Sequence, residues 1–487
     1  MGPYDSIRDY VADLEERGKC IRIKEMDQDL YEATAFLYTL MDRMRAEAPC
    51  FLLEKTKING RWYETPVIGN ALNGFDMVAQ CLGVDYVSDD QAAMFTEAGK
   101  KISACLKEGL GLPFIEPRIV DRKKAPCKEV CLKGADADLF QFPWIQNNPG
   151  DGGQYISTGA FIIEDEELGR NVAIHRMQVK EARKAGANFA GGCHAHQIMM
   201  RAKAKGKKKI DAAVAIGVDP ITWMISASRM TGLGEDEFAL SGGFRRKPVE
   251  LIKCETIDLH VPAHAEIILE GEIPMEMEQE GPYGEMHGYM GSEKQSFFMN
   301  IKAITHRHNP WVWNFWPGAE HSYMSLPANT VLKLRLKEMM PNLVELFSLP
   351  DVPAIGVASI DKRFPGEGIE AGLMLFGYRP FGFTRKVIIV VDKDVAPNDI
   401  PKVIHSMGTR WQPVPASHLI DQTFHSPMDP SLKEPFLSSK IIIDATKQLP
   451  GEGGPDAYPE NNLAILEKEA PSAFEMVKEK WDTYFQK

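Results

Sequence analysis

Apolar residues return at helical spacing near the start of the chain. Ile7, Val11 and Leu14 share one side of an otherwise charged stretch, which predicts a helix over residues 4–16 ended by Gly18. Residues 20–23 alternate weakly, as a strand does. Further helices are predicted over 30–46 and 90–108, with a strand at 50–53 between them. From residue 132 to residue 307 the period shortens to that of strands. Runs at 158–163, 172–179, 212–216, 249–257 and 265–269 are separated by Gly, Pro and Asp turns, with helices expected at 195–205 and 221–228. Many strands and few long helices point to a barrel-like or sandwich unit and away from a doubly wound sheet. Beyond residue 330 helix and strand alternate again. Helices are predicted over 330–339 and 401–407, strands at 354–360, 386–391 and 440–444, and a charged amphipathic helix over 473–485. The run 386–391 is almost wholly apolar, as in a strand buried on both faces.

The 487 residues are 44 % hydrophobic and 25 % charged, which supplies large cores and excludes disorder as the main state. A formal charge of −12 gives no field that would hold a long phosphate backbone. The densest basic stretch, 201–209, has six Lys or Arg but no interleaved aromatics, so it reads as a solvated helix end and no nucleic-acid partner is expected. No run of 18 apolar residues is free of charge, and no membrane span is expected. Asp5, Asp9, Asp13, Glu15 and Glu16 are the wrong chemistry for a secretory or import signal, so cytoplasmic residence is the expectation. The eight cysteines contain no CxxC pair and read as reduced thiols, mostly small buried hydrophobes.

Three stretches carry candidate chemistry. Glu280-Gly-Pro-Tyr-Gly-Glu285 sets two carboxylates across a turn that proline and glycine can fold tightly. Paired carboxylates divide acid from base roles, but the same pattern also serves a surface acidic loop, and spacing does not choose between them. Asn171-Val-Ala-Ile-His-Arg176, read as a strand, sets an arginine among apolar neighbours. Its guanidinium then needs an anion, either a ligand carboxylate or a structural salt bridge. Gly191-Gly-Cys-His194-Ala-His196 opens a helix with two histidines, readable as metal ligands or as helix-start residues, and Glu235-Asp236-Glu237 offers an oxygen ligand. An Asn, a His and a Glu would form a mixed, fairly hard site suited to manganese or magnesium, with phosphate as a natural further ligand. Trp311, Trp313, Phe315 and Trp316 either line an apolar pocket for a planar ligand or pack a core. A Walker A loop, G-x-S-x-G, H-E-x-x-H and a dinucleotide fingerprint are all absent.

Taken in order, these stretches resemble the UbiD-type decarboxylases, which use prenylated FMN to remove or add a carboxylate on aromatic and α,β-unsaturated acids. The matching pieces are Asp151-Gly-Gly-Gln-Tyr155, the segments 171–176 and 280–285, Gly192-Cys-His194 and Glu237-Phe-Ala-Leu-Ser-Gly242. Pro262-Ala-His-Ala-Glu-Ile-Ile-Leu-Glu-Gly271, Lys386-Val-Ile-Ile-Val-Val-Asp392 and Ser439-Lys-Ile-Ile-Ile-Asp444 complete the set. The resemblance implies an α+β multidomain fold. An N-terminal α/β domain would cover 1–120, a central split β-barrel of the flavin-reductase type 121–320, and a C-terminal α/β domain with a terminal helix 321–487. Prenylated FMN would be the cofactor, its phosphate held by Mn²⁺ and K⁺. Asn171, His194 and Glu237 match the metal positions, and Lys386 matches the lysine that meets the phosphate. Ile174, His175, Arg176 and Cys193 fall where the family touches the cofactor.

The implied catalytic trio is Arg176, Glu280 and Glu285: Arg176 orients the substrate carboxylate or holds the acids in register, Glu280 pairs with it, and Glu285 is the proton donor after CO₂ leaves a covalent substrate–cofactor adduct. The implied substrate is an aromatic carboxylate, hydroxylated or heteroaromatic, in a reversible reaction. Implied partners are a flavin prenyltransferase that supplies the cofactor and a second copy of the chain, with a homodimer ahead of a hexamer. Ser241-Gly-Gly-Phe and His175 depart mildly from the family pattern, and His196 has no role in it. The alternative is a conventional FMN-dependent oxidoreductase on the same barrel.

Overall fold

Ser6 caps the first helix, Ile7–Glu16, by accepting from the Asp9 N–H while the Asp9 side chain takes the Ser6 N–H. That helix buries Ile7, Tyr10, Val11 and Leu14, as its spacing predicts. In the computed structural model, which describes residues 2–87, 90–352 and 354–485, the strand Cys20–Ile23 lies parallel to Cys50–Leu53. The next strand, Val67–Gly69, pairs on its far side with Val312–Trp313 from much later in the chain. Glu266, fully buried, accepts from Arg8 Nε at 2.8 Å, Arg8 Nη2 at 2.7 Å and the Trp311 N–H at 2.9 Å. The first helix is thereby tied to the central strands, and one apolar cluster runs from Ile7 and Val11 through Trp223 and Leu240 to Ile268.

The centre is a ten-stranded sheet. Its pairing order runs Gly169–Ile174, Ala160–Asp165, Lys209–Ile216, Ile267–Pro274, Lys294–His306, Lys184–Ala187, Met177–Glu181 and Tyr155–Ile156. Glu278–Glu280 and Val130–Lys133 also pair with Lys294–His306, the 13-residue strand that holds the two halves together. Among the described residues the end strands of this path are not paired with each other. The run 172–179, expected to be one strand, is two. Gly169–Ile174 ends the path on one side and Met177–Glu181 lies last but one on the other, and His175–Arg176 makes the crossing. A strand continued through Arg176 would have carried its charge along the sheet. The break instead aims it at the carboxylates described below.

The C-terminal sheet has the order Leu343–Ser348, Ile355–Ile360, Val387–Asp392, Leu437–Asp444 and Ser417–Phe424. Its middle three strands are parallel, and each face packs its own core, which is why 387–391 reads as apolar throughout. The terminal helices Asn462–Glu469 and Pro471–Lys480 bury no residue. No helix of the described residues is long and apolar enough to cross a membrane. The class is mixed α+β in several units.

Lys128 and Glu270 form an ion pair at 2.7 Å with both side chains fully buried. The second Glu270 oxygen is filled by the Glu255 and Thr256 N–H groups. Lys128→Met leaves that carboxylate buried without its cation and is expected to cost about 3–5 kcal/mol of folding stability, read by urea denaturation. A loss below about 1 kcal/mol would show that the pair is not needed.

Candidate active site

Arg176 stands in the crossing between two strands, and its side chain is only 11 % exposed. Its Nε donates to Glu280 Oε1 at 2.8 Å and its Nη1 to Glu285 Oε1 at 2.6 Å. The guanidinium lies over the Tyr283 ring, 4.6 Å from the centroid. Asn188, just past the strand Lys184–Ala187, donates to the other Glu280 oxygen at 2.8 Å. Burial by itself would lower the Arg176 pKa. Glu285 and Glu280 outweigh it, so the net shift is upward and the charge is held. Nη2 is buried and has no hydrogen-bond partner among the described residues.

The two glutamates reach Arg176 because a short loop is pinned on both sides. Glu280 ends a strand opposite Lys294, and Tyr283–Gly284 then pairs with Met290–Gly291. The turn between closes with the Glu285 N–H on the Tyr289 carbonyl and the Gly288 N–H on that of Glu285, both 2.9 Å. Gly288 has φ +78°, a geometry glycine adopts without strain. Behind the loop, the Gly152 N–H bonds the Pro282 carbonyl at 2.7 Å and Asp151 accepts from the Gly284 N–H at 2.8 Å. A Cβ on Gly281 would sit 2.7 Å from the Gly152 Cα, so the close backbone approach requires glycine there.

A second cluster forms at the other end of the same six residues. Asn171 Nδ2 donates to Glu237 Oε1 at 3.1 Å, Thr231 Oγ1 to the same oxygen at 2.8 Å, and the Val172 N–H to Oε2 at 2.7 Å. Burial pushes the Glu237 pKa up to about 7 against these bonds. Asn171 Oδ1 is buried with no hydrogen-bond partner among the described residues. Glu237 opens a wholly buried helix, Glu237–Arg245, capped by Asp236. Its polar residues Glu237, Ser241 and Arg245 share one stripe, but all nine positions are buried, so no exposed face marks the helix in the sequence. Gly242 and Gly243 let it lie against the backbone of Ile115 and Pro113.

His194 opens the helix His194–Ala204, with Cys193 as its cap. Burial lowers its pKa, and the charges acting on it are Arg229 and Glu235. Among the described residues no group of three or more His, Cys, Asp or Glu is gathered for a metal. Lys386 precedes the strand Val387–Asp392, and its Nζ meets Asp429 Oδ2 at 2.5 Å and Ser431 Oγ at 2.7 Å. Ile174 ends its strand half-buried. His175 lies edge-on to Phe189 and Phe161, and burial lowers its pKa to about 4. Trp313 packs on Trp223 and Trp316 on Phe51, so these two tryptophans are core residues and not a pocket wall. Asn188, Thr231 and Asp151 were not singled out by sequence. Only Asp151 lies in a motif that pointed to the site.

Residues 118–320 match the family model described as the 3-octaprenyl-4-hydroxybenzoate carboxy-lyase Rift-related domain, and 321–445 match the C-terminal domain of the same carboxy-lyase. An uncharacterized protein of Archaeoglobus fulgidus is 30 % identical over 471 residues, 94 % of this chain and 95 % of that one. Among solved structures, the vanillic acid decarboxylase of Sedimentibacter hydroxybenzoicus in its closed form superposes with a TM-score of 0.81 at 27 % identity, covering 97 % of this chain and 99 % of the other. The UbiD-class enzyme HmfF of Pelotomaculum thermopropionicum, in complex with FMN, gives 0.79 at 28 % identity over 95 % and 98 %. An evolved dimeric form of HmfF is in complex with prFMN. With both family models matched over most of its length, and with an arginine held between two glutamates at its centre, the chain belongs to the UbiD family of carboxy-lyases.

Proposed function

We propose that the chain removes the carboxyl group of an aromatic carboxylic acid reversibly, with prenylated FMN as cofactor. One observation carries the reading: a buried Arg176 gripped by Glu280 and Glu285 still has an unfilled donor, Nη2. A planar carboxylate is the natural partner for that donor. Similarity to the vanillic acid decarboxylase and to HmfF in complex with FMN and prFMN supports the assignment. No observation favours a conventional FMN oxidoreductase. We also read the central sheet as a split barrel and divide the chain at 120 and 320, a division supported by family matches that begin at 118 and meet at 320.

Each side chain then has a part. Arg176 orients the substrate carboxylate through Nη2. Glu280, with one oxygen on Arg176 and the other on Asn188, is fixed as a counter-ion and is only 1 % exposed. Glu285 is more open, at 18 %, and only its Oε1 is bonded among the described residues. Its Oε2 holds the proton that is delivered to the carbon losing CO₂. When bound, prenylated FMN supplies the electron sink that a decarboxylating sp² carbon lacks and that no side chain provides. Asn171 Oδ1 and Glu237 are oxygen donors that fit a hard cation such as Mn²⁺, with His194 completing the set and K⁺ beside it. Lys386 has three N–H donors and spends two on Asp429 and Ser431, leaving a third for the cofactor phosphate. Ile174, His175 and Cys193 line the cofactor side. A flavin prenyltransferase supplies the cofactor, and a homodimer is the assembly.

The test is anaerobic purification after co-expression with a flavin prenyltransferase in the presence of Mn²⁺. The released cofactor is identified by mass and absorption, and CO₂ release is measured on a panel of aromatic acids. Prenylated FMN and CO₂ from at least one acid are expected. Glu285→Gln should keep the cofactor and lower kcat by at least about 100-fold. Unmodified FMN with no CO₂ from any acid, or Glu285→Gln turning over normally, would point to the oxidoreductase. His194→Ala should lose bound Mn²⁺ and cofactor while its circular dichroism is unchanged, and an unaltered metal content would remove His194 from the ligand set.

A further inference from the structure

The short strand that ends in Glu280 pairs with Lys294–His306, and its register sets Glu280 directly opposite Lys294. Residues opposite one another in an antiparallel pair project from the same face of the sheet. Lys294 therefore shares its face with the carboxylate that grips Arg176. Glu280 has no oxygen left for it, since one is on Arg176 and the other on Asn188. Among the described residues the Lys294 ammonium has neither an ion pair nor a hydrogen bond, and the residue is exposed to solvent. The other acids on these two strands are already engaged. Glu293 takes a bond from Gln279, and Glu278 is met by Lys180 and Lys184.

The carboxylate that remains is Glu285, bonded to Arg176 through Oε1 alone. The protein crowded around Lys294 lowers its pKa, and Arg176 adds to that, while Glu280 and Glu285 oppose it. On the decarboxylase reading above, Glu285 spends a proton in every turnover. It must regain one while Arg176 favours its ionised form. A lysine on a flexible stem, with water on one side and this charge group on the other, can hand a proton across, whereas a guanidinium cannot release one. Resting on that reading, we propose that Lys294 is the proton relay that recharges Glu285. The ammonium gives a proton to the Glu285 carboxylate, leaving an amine and a carboxylic acid, and the amine then takes a proton from solvent. The hydrogen that replaces CO₂ on the ring carbon thus comes from water through Lys294 and Glu285, and carboxylation runs the same transfers backwards. Lys294 acts through Glu285 and needs no contact with the substrate.

The experiment compares the cofactor-loaded wild type with Lys294→Met and Lys294→Arg on an acid that the native protein decarboxylates. Lys294→Met should lower kcat at least about tenfold, with KM and melting temperature little changed. Methylammonium added to this variant should restore kcat in proportion to its concentration and leave the native protein unaffected. Lys294→Arg keeps the charge but gives up no proton near neutral pH, so it should stay as slow as Lys294→Met. A native kcat in Lys294→Met overturns the proposal. So does recovery in Lys294→Arg, which would make the residue a fixed charge, and so does a rise in KM alone, which would place it on the substrate. A second measurement needs no turnover. The Lys294 Nζ of ¹⁵N-lysine-labelled apoprotein is titrated by NMR, its signal assigned by its loss in Lys294→Met. Glu285 holds the Lys294 pKa up, so Glu285→Gln should lower it by about half a pH unit or more. That change supports the link even where no acid is decarboxylated, and an unaltered titration overturns it.

Discussion

A guanidinium taken out of water must be met by carboxylates, and the centre of this molecule is arranged to meet Arg176. Glu280 arrives at the end of a strand, Glu285 on the turn that follows, Asn188 from the end of another strand, and Tyr283 as an aromatic floor. Each addition fills one of the valences that burial would otherwise leave bare. Two atoms remain uncommitted, Arg176 Nη2 and Glu285 Oε2. One is a donor suited to a carboxylate and the other a place for a proton, and the two are the minimum a decarboxylase needs from its side chains.

The same six-residue segment sets both ends of the site. Asn171 meets Glu237 at one end, and Arg176 meets the glutamates at the other. Because the segment is a strand that stops at Ile174, the span between the hard oxygen donors and the guanidinium is fixed by extended backbone and not by a flexible loop. The supports behind it are equally stiff. Gly152 against Gly281 holds the carboxylate turn, and the buried helix from Glu237 is locked by its close approach to Pro113 and Ile115. Rigid placement of this kind is what allows charged groups to act without a reorganisation cost at the moment of reaction.

Much of this is legible in the amino-acid sequence, for physical reasons that also mark the limits. Half-buried helices such as Ile7–Glu16 and the doubly buried strand Val387–Asp392 announce themselves through their apolar period. The carboxylate turn and Arg176 were visible because proline, glycine and an arginine among apolar residues are unusual in combination. The break at His175–Arg176 was not visible, since residues 172–179 alternate like one strand and only tertiary pairing divides them. The helix Glu237–Arg245 escaped because it is buried on every side, even along its polar stripe of Glu237, Ser241 and Arg245, so no exposed face reveals it. Asn188 carries no local signal, for its role exists only once two distant strands are neighbours. Lys386 came from resemblance alone, while His194 also stood out in a histidine pair at a helix start; in the folded chain Asp429 and Ser431 bind Lys386, and Arg229 and Glu235 act on His194.

The account stands on Arg176 acting as a carboxylate-binding fork in a reaction that makes and breaks a bond to CO₂. The most direct test follows ¹³C from labelled bicarbonate into the carboxyl group of an aromatic acid by NMR, in the cofactor-loaded protein and in Arg176→Lys. Lysine keeps the charge but loses the planar fork. Label entering the acid with the native protein and not with the lysine variant is the predicted result. Equal labelling by both proteins, or none by either while prenylated FMN is bound, would contradict it.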